Sequence, residues 1–433
     1  MKTAVSYGVD IMGYNAIFRD TLKVYRQAAD FLITVCVEHW DEIEAIEGTT
    51  RRKTYVEHLV HSTKGNAAAY PSFDRRFYKL PIYMLRSAIA EAIGKAASYR
   101  SNLANGTKAG RPKAGNAFPA MYRDGSYIRI GEYEARLKVY RNNTWDWITV
   151  SLKKQDVDYL KRRFGDKRPS APTLEKRGKK WSLRFVFEDR VELPKPKVQD
   201  LRILAVDLGI NNAATCTVMC QDGTIQGRHF LKLPKETDSL WHAIGRIKKA
   251  QQHGNHKAPR LWAKANGINK DISVKTAQFI ADTAAYYNVD VIVFEHLEIG
   301  GRVSGSKKQK LHMWKSRAVQ NIVTDRAHRM GIRIARVNAW NTSRLAYDGS
   351  GCVKRGIDGN YSICRFQSGK LYNCDLSASY NIGARYLIRE TLKSLSERKR
   401  LALEAKVPQA AKRSTCTYST LISMNAELER LAA

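Results

Sequence analysis

Residues Ile203–Phe230 read ILAVDLGINNAATCTVMCQDGTIQGRHF, and residues Val291–Glu295 read VIVFE. Ile203–Val206 predicts a short apolar strand that ends on Asp207. The stretches Ala213–Cys220 and Ile225–Phe230 flank Asp222-Gly223, a dipeptide suited to a tight hairpin turn. Val289–Phe294 is a nearly unbroken apolar run, as a strand buried on both faces requires, and it ends on Glu295. Between and after these strands the spacing predicts helices over Leu240–Gln251, Ile272–Tyr287 and about Trp314–Met330, then a strand over Ile332–Val337. Strand, hairpin, helix, strand, helix, strand describes a mixed α/β sheet with helices packed on it.

The pattern upstream is different. Leu22, Tyr25, Ala29, Leu32, Cys36, Trp40 and Ile43 recur at helical spacing within Ile17–Ile43. Further helical stretches follow at Tyr55–His61 and Ile82–Ala97, broken by Pro71 and Pro81, and the Gly- and Lys-rich Ala104–Pro119 reads as a linker. Ser126–Ile130, Ala135–Tyr140, Thr144–Leu152 and Lys179–Phe187 are strand-like, and several short strands of this kind suggest a small β-barrel. Pro194-Lys-Pro196 marks a boundary, and the tail after Leu392 is basic and helix-prone. No internal repeat is evident.

The chain has 433 residues and carries 74 Lys and Arg against 41 Asp and Glu, a formal charge of +33. Cations spread along folded regions fit a groove that neutralises a polyanion, with nucleic acid the leading candidate. With no apolar run of about 18 residues, a spanning helix is not expected, nor is a signal peptide, and no membrane partner is called for. The sparse, odd count of seven cysteines suits free thiols in a reducing cytosol.

Against that charge, three acids stand out. Asp207 and Glu295 each follow a buried-type strand, where ligand sites of α/β sheets gather. Asp375, in NCDLSASYNIGARY, sits at a helix start. Carboxylates from three elements suit two hard divalent cations, Mg²⁺ or Mn²⁺, about 3.5–4 Å apart across a phosphodiester. Each acid alone also has an ordinary reading: Asp207 as a turn residue, Asp375 as a helix N-cap. Glu298 competes with Glu295 for the same role.

AVDLGINNAATC resembles the first RuvC motif, VFEHLE the second and CDLSASYNIGARY the third, of the RNase-H-like nuclease in type V CRISPR effectors and transposon-encoded TnpB proteins. The resemblance spans about Leu201–Arg385, and the chain is similar in size and plan to a miniature type V-F effector. It implies a multidomain α+β protein: an N-terminal helical recognition segment and β-barrel wedge domain, then a RuvC-like mixed α/β nuclease with an inserted ribbon-like subdomain. The implied division is 1–16 as the start of the wedge, 17–120 recognition, 121–196 the rest of the wedge, and 197–341 nuclease. A target-binding ribbon at 342–374, nuclease again at 375–392 and a basic tail at 393–433 complete it. The implied activity is guide-RNA-directed cleavage of double-stranded DNA beside a short adjacent motif. Asp207, Glu295 and Asp375 are the implied catalytic and Mg²⁺-binding acids, in a prokaryotic cytoplasm.

In this family a zinc ribbon often follows the second motif, built from two CxxC pairs after Thr-Ser. Here Thr342-Ser343 is kept, but Ala346, Gly349, Arg365 and Ser368 fall at the ligand positions. Cys352, Cys364 and Cys374 lack CxxC spacing, so no structural zinc is expected and hairpins and packing would hold the subdomain. The densest basic run, Lys161, Arg162, Arg163, Lys167, Arg168, Lys176 and Arg177 with Lys179 and Lys180, reads as RNA-scaffold or duplex contact, or as a solvated loop. Phe73, Arg75, Arg76, Phe77 and Tyr78 offer base stacking or a core patch. Lys307, Lys308 and Lys310 read as a mobile basic loop that gates the site. A homodimer on one guide RNA is also expected. A 433-residue globule has a radius of gyration of roughly 22 Å, whereas a heteroduplex of about 20 bp is some 55–70 Å long. The competing functions are a TnpB-type transposon-associated nuclease, a guide-free RNase-H-fold recombinase, and an idle nucleic-acid-binding regulator on the same fold.

Overall fold

The structure is a computed structural model that describes residues 1–432 except 14–15, 108, 166, 210–211, 297–315, 358 and 413. The chain divides into two compact units, residues 2–189 and residues 190–433 joined by Met1. It is a mixed α/β, multidomain protein. Among the described residues no helix is long and apolar enough to cross a membrane.

In the first unit, helix Ala16–Glu38 buries Phe18, Leu22, Tyr25, Ala29, Leu32 and Cys36 on one face and packs against helix Ile82–Ala104. Ser87 lies at the crossing, within hydrogen-bond distance of the Tyr25 hydroxyl at 3.0 Å. The single helix expected over Ile17–Ile43 breaks at His39, and a short helix Trp40–Ala45 follows. The strands form two three-stranded sheets. Strand Lys180–Arg190 lies between Lys2–Ile11 and Thr173–Arg177 in one, and Glu134–Arg141 lies between Tyr127–Arg129 and Thr144–Ser151 in the other. Isolated bridges, Ile11 to Leu152, Ala120 to Thr173 and Arg123 to Tyr127, are the other strand-like pairings around them. No closed barrel forms among the described residues, which corrects that expectation: single bridges do not continue a ladder around the gap.

The second unit is built on a five-stranded sheet in the order Arg333–Asn338, Val291–His296, Arg202–Asp207, Ala214–Cys220, Ile225–Leu231. The first three strands are parallel and the last two antiparallel. Both faces of the sheet are buried, and strand alternation divides them. Ile203, Ala205, Val291 and Val293 face helix Cys374–Ser394 and the C-terminal segment. Leu204, Val206, Ile292 and Phe294 face helices Pro259–Tyr286 and Ser316–Arg329. Helix Cys374–Ser394 lies close on its strands at Gly383, where a Cβ would stand 3.2 Å from Ala205 Cβ and from the Met219 thioether.

Residues 354–373 form a small antiparallel sheet of three strands, Lys354–Ile357, Asn360–Arg365 and Leu371–Asn373. Ala346, Cys364, Phe366 and Cys374 make its buried core with Tyr347, Val353 and Tyr372. Two of the three local thiols therefore act as small apolar groups, while Cys352 is exposed.

Candidate active site

Strand order places Asp207 and Glu295 side by side. Val206 pairs with Phe294 in the parallel ladder, so the acid that follows each leaves the sheet at the same carboxyl edge. Asp375 enters from above, in the first turn of helix Cys374–Ser394. The N-cap of that helix is Asn373, whose side chain accepts from the Leu376 amide at 2.9 Å. Asp375 is thereby released from the capping role and its carboxylate is free to face the strand ends, where the Asn212 amide donates to it at 2.6 Å.

The three acids share one electrostatic neighbourhood. Burial, then Glu295, then Asp375 push the Asp207 carboxyl well above its usual range, and Arg355 partly opposes them. Burial also raises Glu295, while the Thr342 hydroxyl and Arg385 pull it down. None of the three forms an ion pair with a described residue. Among the described residues, the buried cation nearby is Arg385, whose hydrogen bonds go to backbone carbonyls. It is 5% exposed and donates to four carbonyls, those of Asn338, Trp340, Ser414 and Cys416, at 2.7–3.1 Å. Acids gathered in a buried place with no direct ion pair to a described residue suit external cations, and their all-oxygen donors suit hard ones. As the side chains stand, no three His, Cys, Asp or Glu among the described residues are already arranged around one ion position.

Several residues that hold the site in place went unread in the sequence. Asn212 orients Asp375. Thr342 Oγ1 contacts Glu295 Oε1 and lies 2.9 Å from the Ala339 carbonyl. Gln320 donates to the Glu295 carbonyl at 3.0 Å and accepts from Arg336 at 2.9 Å. Asn381, fully buried, donates to the Thr342 and Leu345 carbonyls and accepts from the Tyr418 amide. The signal available was clustering, since Asn212, Asn381 and Arg385 all fall inside the quoted motifs.

In the first unit, the basic run is scattered over several elements. Lys161, Arg162 and Arg163 close helix Lys154–Phe164, a position where cations complement the helix dipole. Lys161 pairs with Glu132, Lys167 with Asp189 at 2.5 Å and Arg177 with Glu175 at 3.4 Å. The Lys176 ammonium lies over the Trp181 ring. Such exposed pairs are worth about 0–1 kcal/mol each and yield readily to phosphate. Arg168 lines a 490 Å³ cavity with Lys161 and Lys167. Phe73 and Phe77 are core residues packed on Phe31, which leaves Tyr78, 70% exposed with the Lys79 ammonium over it, as the exposed ring of that cluster. Lys307, Lys308, Lys310 and Glu298 lie outside the described residues.

Comparison with known proteins gives the same direction. The Aq_aa04 family model matches residues 5–141. Over 239 residues the chain is 27% identical to the TnpB-like protein aq_aa05 of Aquifex aeolicus (strain VF5), a match that covers 49% of this chain and 76% of that protein. The chain is thus similar in sequence to one TnpB-like protein. The resemblance drawn from the three motifs is borne out at this level. Solved structures that overlap this chain include a Cas12f1–sgRNA–target DNA complex, at 16% identity and TM-score 0.34, covering 88% of this chain and 98% of that one. Another is C2c1 of Alicyclobacillus acidoterrestris with single-guide RNA, at 11% identity and TM-score 0.37, covering 83% and 65%.

Proposed function

We propose that this chain is a guide-RNA-directed DNA endonuclease with a single RuvC-like site at Asp207, Glu295 and Asp375. The observation that supports the reading is that Asp207 and Glu295 end neighbouring parallel strands and that Glu295 and Asp375 both act on the Asp207 carboxyl, in a chain of net charge +33. Asp207, Glu295 and Asp375 would hold Mg²⁺ or Mn²⁺, which when bound supplies an activated water and neutralises charge on the scissile phosphate. The protein's own part is positional. Asn212 fixes one carboxylate oxygen of Asp375, Thr342 fixes one of Glu295, and Gln320 anchors the strand end that carries Glu295. With no ion pair to a described residue, the remaining oxygens would be open to ions.

The partners under this reading are a guide RNA, which reads sequence by pairing, and a double-stranded DNA target beside a short adjacent motif read by the protein. Two chains on one guide RNA, no structural zinc, and a prokaryotic cytoplasmic setting complete the proposal. Residues 1–16 and 121–196 would form the wedge, 17–120 the recognition segment and 342–374 the target-loading ribbon, with Lys161, Arg162, Arg163, Lys167, Arg168, Lys176, Arg177, Lys307 and Lys308 on nucleic acid. A second reading, a transposon-associated TnpB-type nuclease with the same chemistry, is favoured by the match to the TnpB-like protein. Expression with the flanking DNA of the gene tests both. A discrete co-purifying RNA that directs Mg²⁺-dependent cleavage of a matched plasmid supports RNA guidance. Cleavage without any RNA supports the recombinase instead.

A further inference from the structure

The second unit contains a cleft of about 1020 Å³ that the acid site does not use. The exit of strand Arg333–Asn338, the last turns of helix Cys374–Ser394 and the tail helix Glu397–Lys406 enclose it. Among the described residues its charged lining is Arg336, Arg385, Arg389, Lys393 and Arg400 against Glu404. Arg385 gives four of its five N–H donors to carbonyls, and Glu390 pairs with Arg389 at 2.9 Å and with Lys393 at 3.3 Å. Arg336 and Arg400 are exposed and make no ion pair with a described residue. At the mouth stands Trp340, 68% exposed. Its backbone is fixed at both ends: its amide donates to Asn338 Oδ1 at 2.8 Å, and its carbonyl accepts from Arg385 at 2.7 Å. Trp340 thus presents a large ring to solvent from a backbone held at both ends, which is the geometry of a stacking platform. His296, next to Glu295, lines the same cleft and so joins it to the acid edge.

We propose that this cleft binds a short run of single-stranded DNA, with one base stacked on Trp340 and the flanking phosphates held by Arg400, Lys393 and Arg389. A fixed aromatic platform beside a cluster of cations is the arrangement that binds unpaired strands with little sequence preference. Only an unpaired base can lie flat on the indole. The volume sits at the top of the range for small-ligand pockets, about 300–1,000 Å³, which admits a few nucleotides and no duplex. The choice of DNA rests on the proposed substrate of the acid site, which the cleft adjoins. It also gives the tail a task, because Arg400 and the wall formed by Ala410 and Ala411 come from it.

The test uses the full chain, stripped of nucleic acid at high salt and held in EDTA, with fluorescein-labelled oligothymidylate read by anisotropy. Trp340→Ala is expected to weaken binding by about 5- to 150-fold, and Trp340→Phe to recover most of the loss. Arg400→Gln is expected to flatten the slope of log affinity against log salt by about 0.7. Photo-crosslinking of an iododeoxyuridine oligonucleotide is expected to mark the tryptic peptide Val337–Arg344. A Trp340→Ala protein that binds like its parent, or crosslinks confined to other peptides, overturns the proposal. Equal Trp340-dependent binding of oligouridylate or of polyglutamate overturns the assignment to DNA. The two readings fail separately. Trp340-dependent binding by a protein that never cleaves DNA refutes the nuclease alone, and a cleaving protein indifferent to Trp340 refutes the cleft alone.

Discussion

Replacing Arg385 by Met asks how much the third-motif helix depends on one buried guanidinium. Its four hydrogen bonds join the helix to two otherwise separate segments, Asn338 with Trp340 on one side and Ser414 with Cys416 on the other. Charge-assisted bonds of this kind are worth about 1.5–3 kcal/mol each, so four give roughly 6–12 kcal/mol in gross terms. Two effects offset that. Burying the guanidinium is itself costly, which is why burial lowers its pKa, and three of the four bonds lie where water can reach the freed carbonyl. A net loss of about 2–4 kcal/mol remains, within the range of broken buried networks. Because the chain has two units, global denaturation would not be two-state, and amide hydrogen exchange is the better assay. Protection at Thr342, Tyr418 and Ser419, whose amides bond Ala339, Asn381 and Tyr347, is expected to fall by about 30- to 1,000-fold. Amides of strand Arg202–Asp207 serve as the control. Lys at this position supplies one nitrogen and cannot reach both segments, so it should recover at most half. Unchanged protection at those three amides in Arg385→Met would refute the reasoning.

Other outcomes follow from the same geometry. The native Asp207 carboxyl keeps its proton to higher pH than the unfolded one, whose ordinary value is 3.8. The native state then binds the more protons, and stability of the metal-free protein falls as pH rises above that value. Asp207→Asn should therefore melt higher than its parent in EDTA at neutral pH and match it at low pH; a lower melting point at neutral pH would contradict the site's repulsion. Gly383→Val should destabilise by about 1–3 kcal/mol, since even its Cβ stands 3.2 Å from Ala205 and Met219, and a thermal melt that does not move would mean the helix has room. Asn212→Ala should cut the single-turnover cleavage rate by about 10- to 100-fold through loss of carboxylate orientation, with RNA binding intact; a rate like the parent's would remove Asn212 from the site.

The five-stranded sheet was legible because its central strands are buried on both faces and so read as plain apolar runs ending in an acid. Asp222-Gly223 marked its hairpin in the same direct way, and Gly223 has φ 93°. Helix Pro259–Tyr286 was read only from Ile272 onward. Its earlier turns pack Leu261, Trp262 and Ala265 against helix Pro234–Gln252 rather than the sheet, and a stripe that changes partner midway loses its period. The tail gave no signal for its role, because what matters there is tertiary: Cys416, Leu421 and Met424 complete the core over the sheet. Asp375 was open to reading as a cap until Asn373 was seen to occupy that position. The barrel failed for a related reason. Strand content is local, but closure depends on pairings between distant strands that no local pattern specifies.

The most direct test of the central claim compares Asp207→Ala, Glu295→Ala and Asp375→Ala, singly and together, with the parent for cleavage of RNA-matched DNA in Mg²⁺. Binding of RNA and target is measured alongside. If the three acids form one metal-holding unit, each single variant abolishes cleavage, the triple variant is no worse than any single one, and binding persists. A single variant that cleaves its matched target at the parent's rate would contradict the account, because that acid would then lie outside the site the other two form.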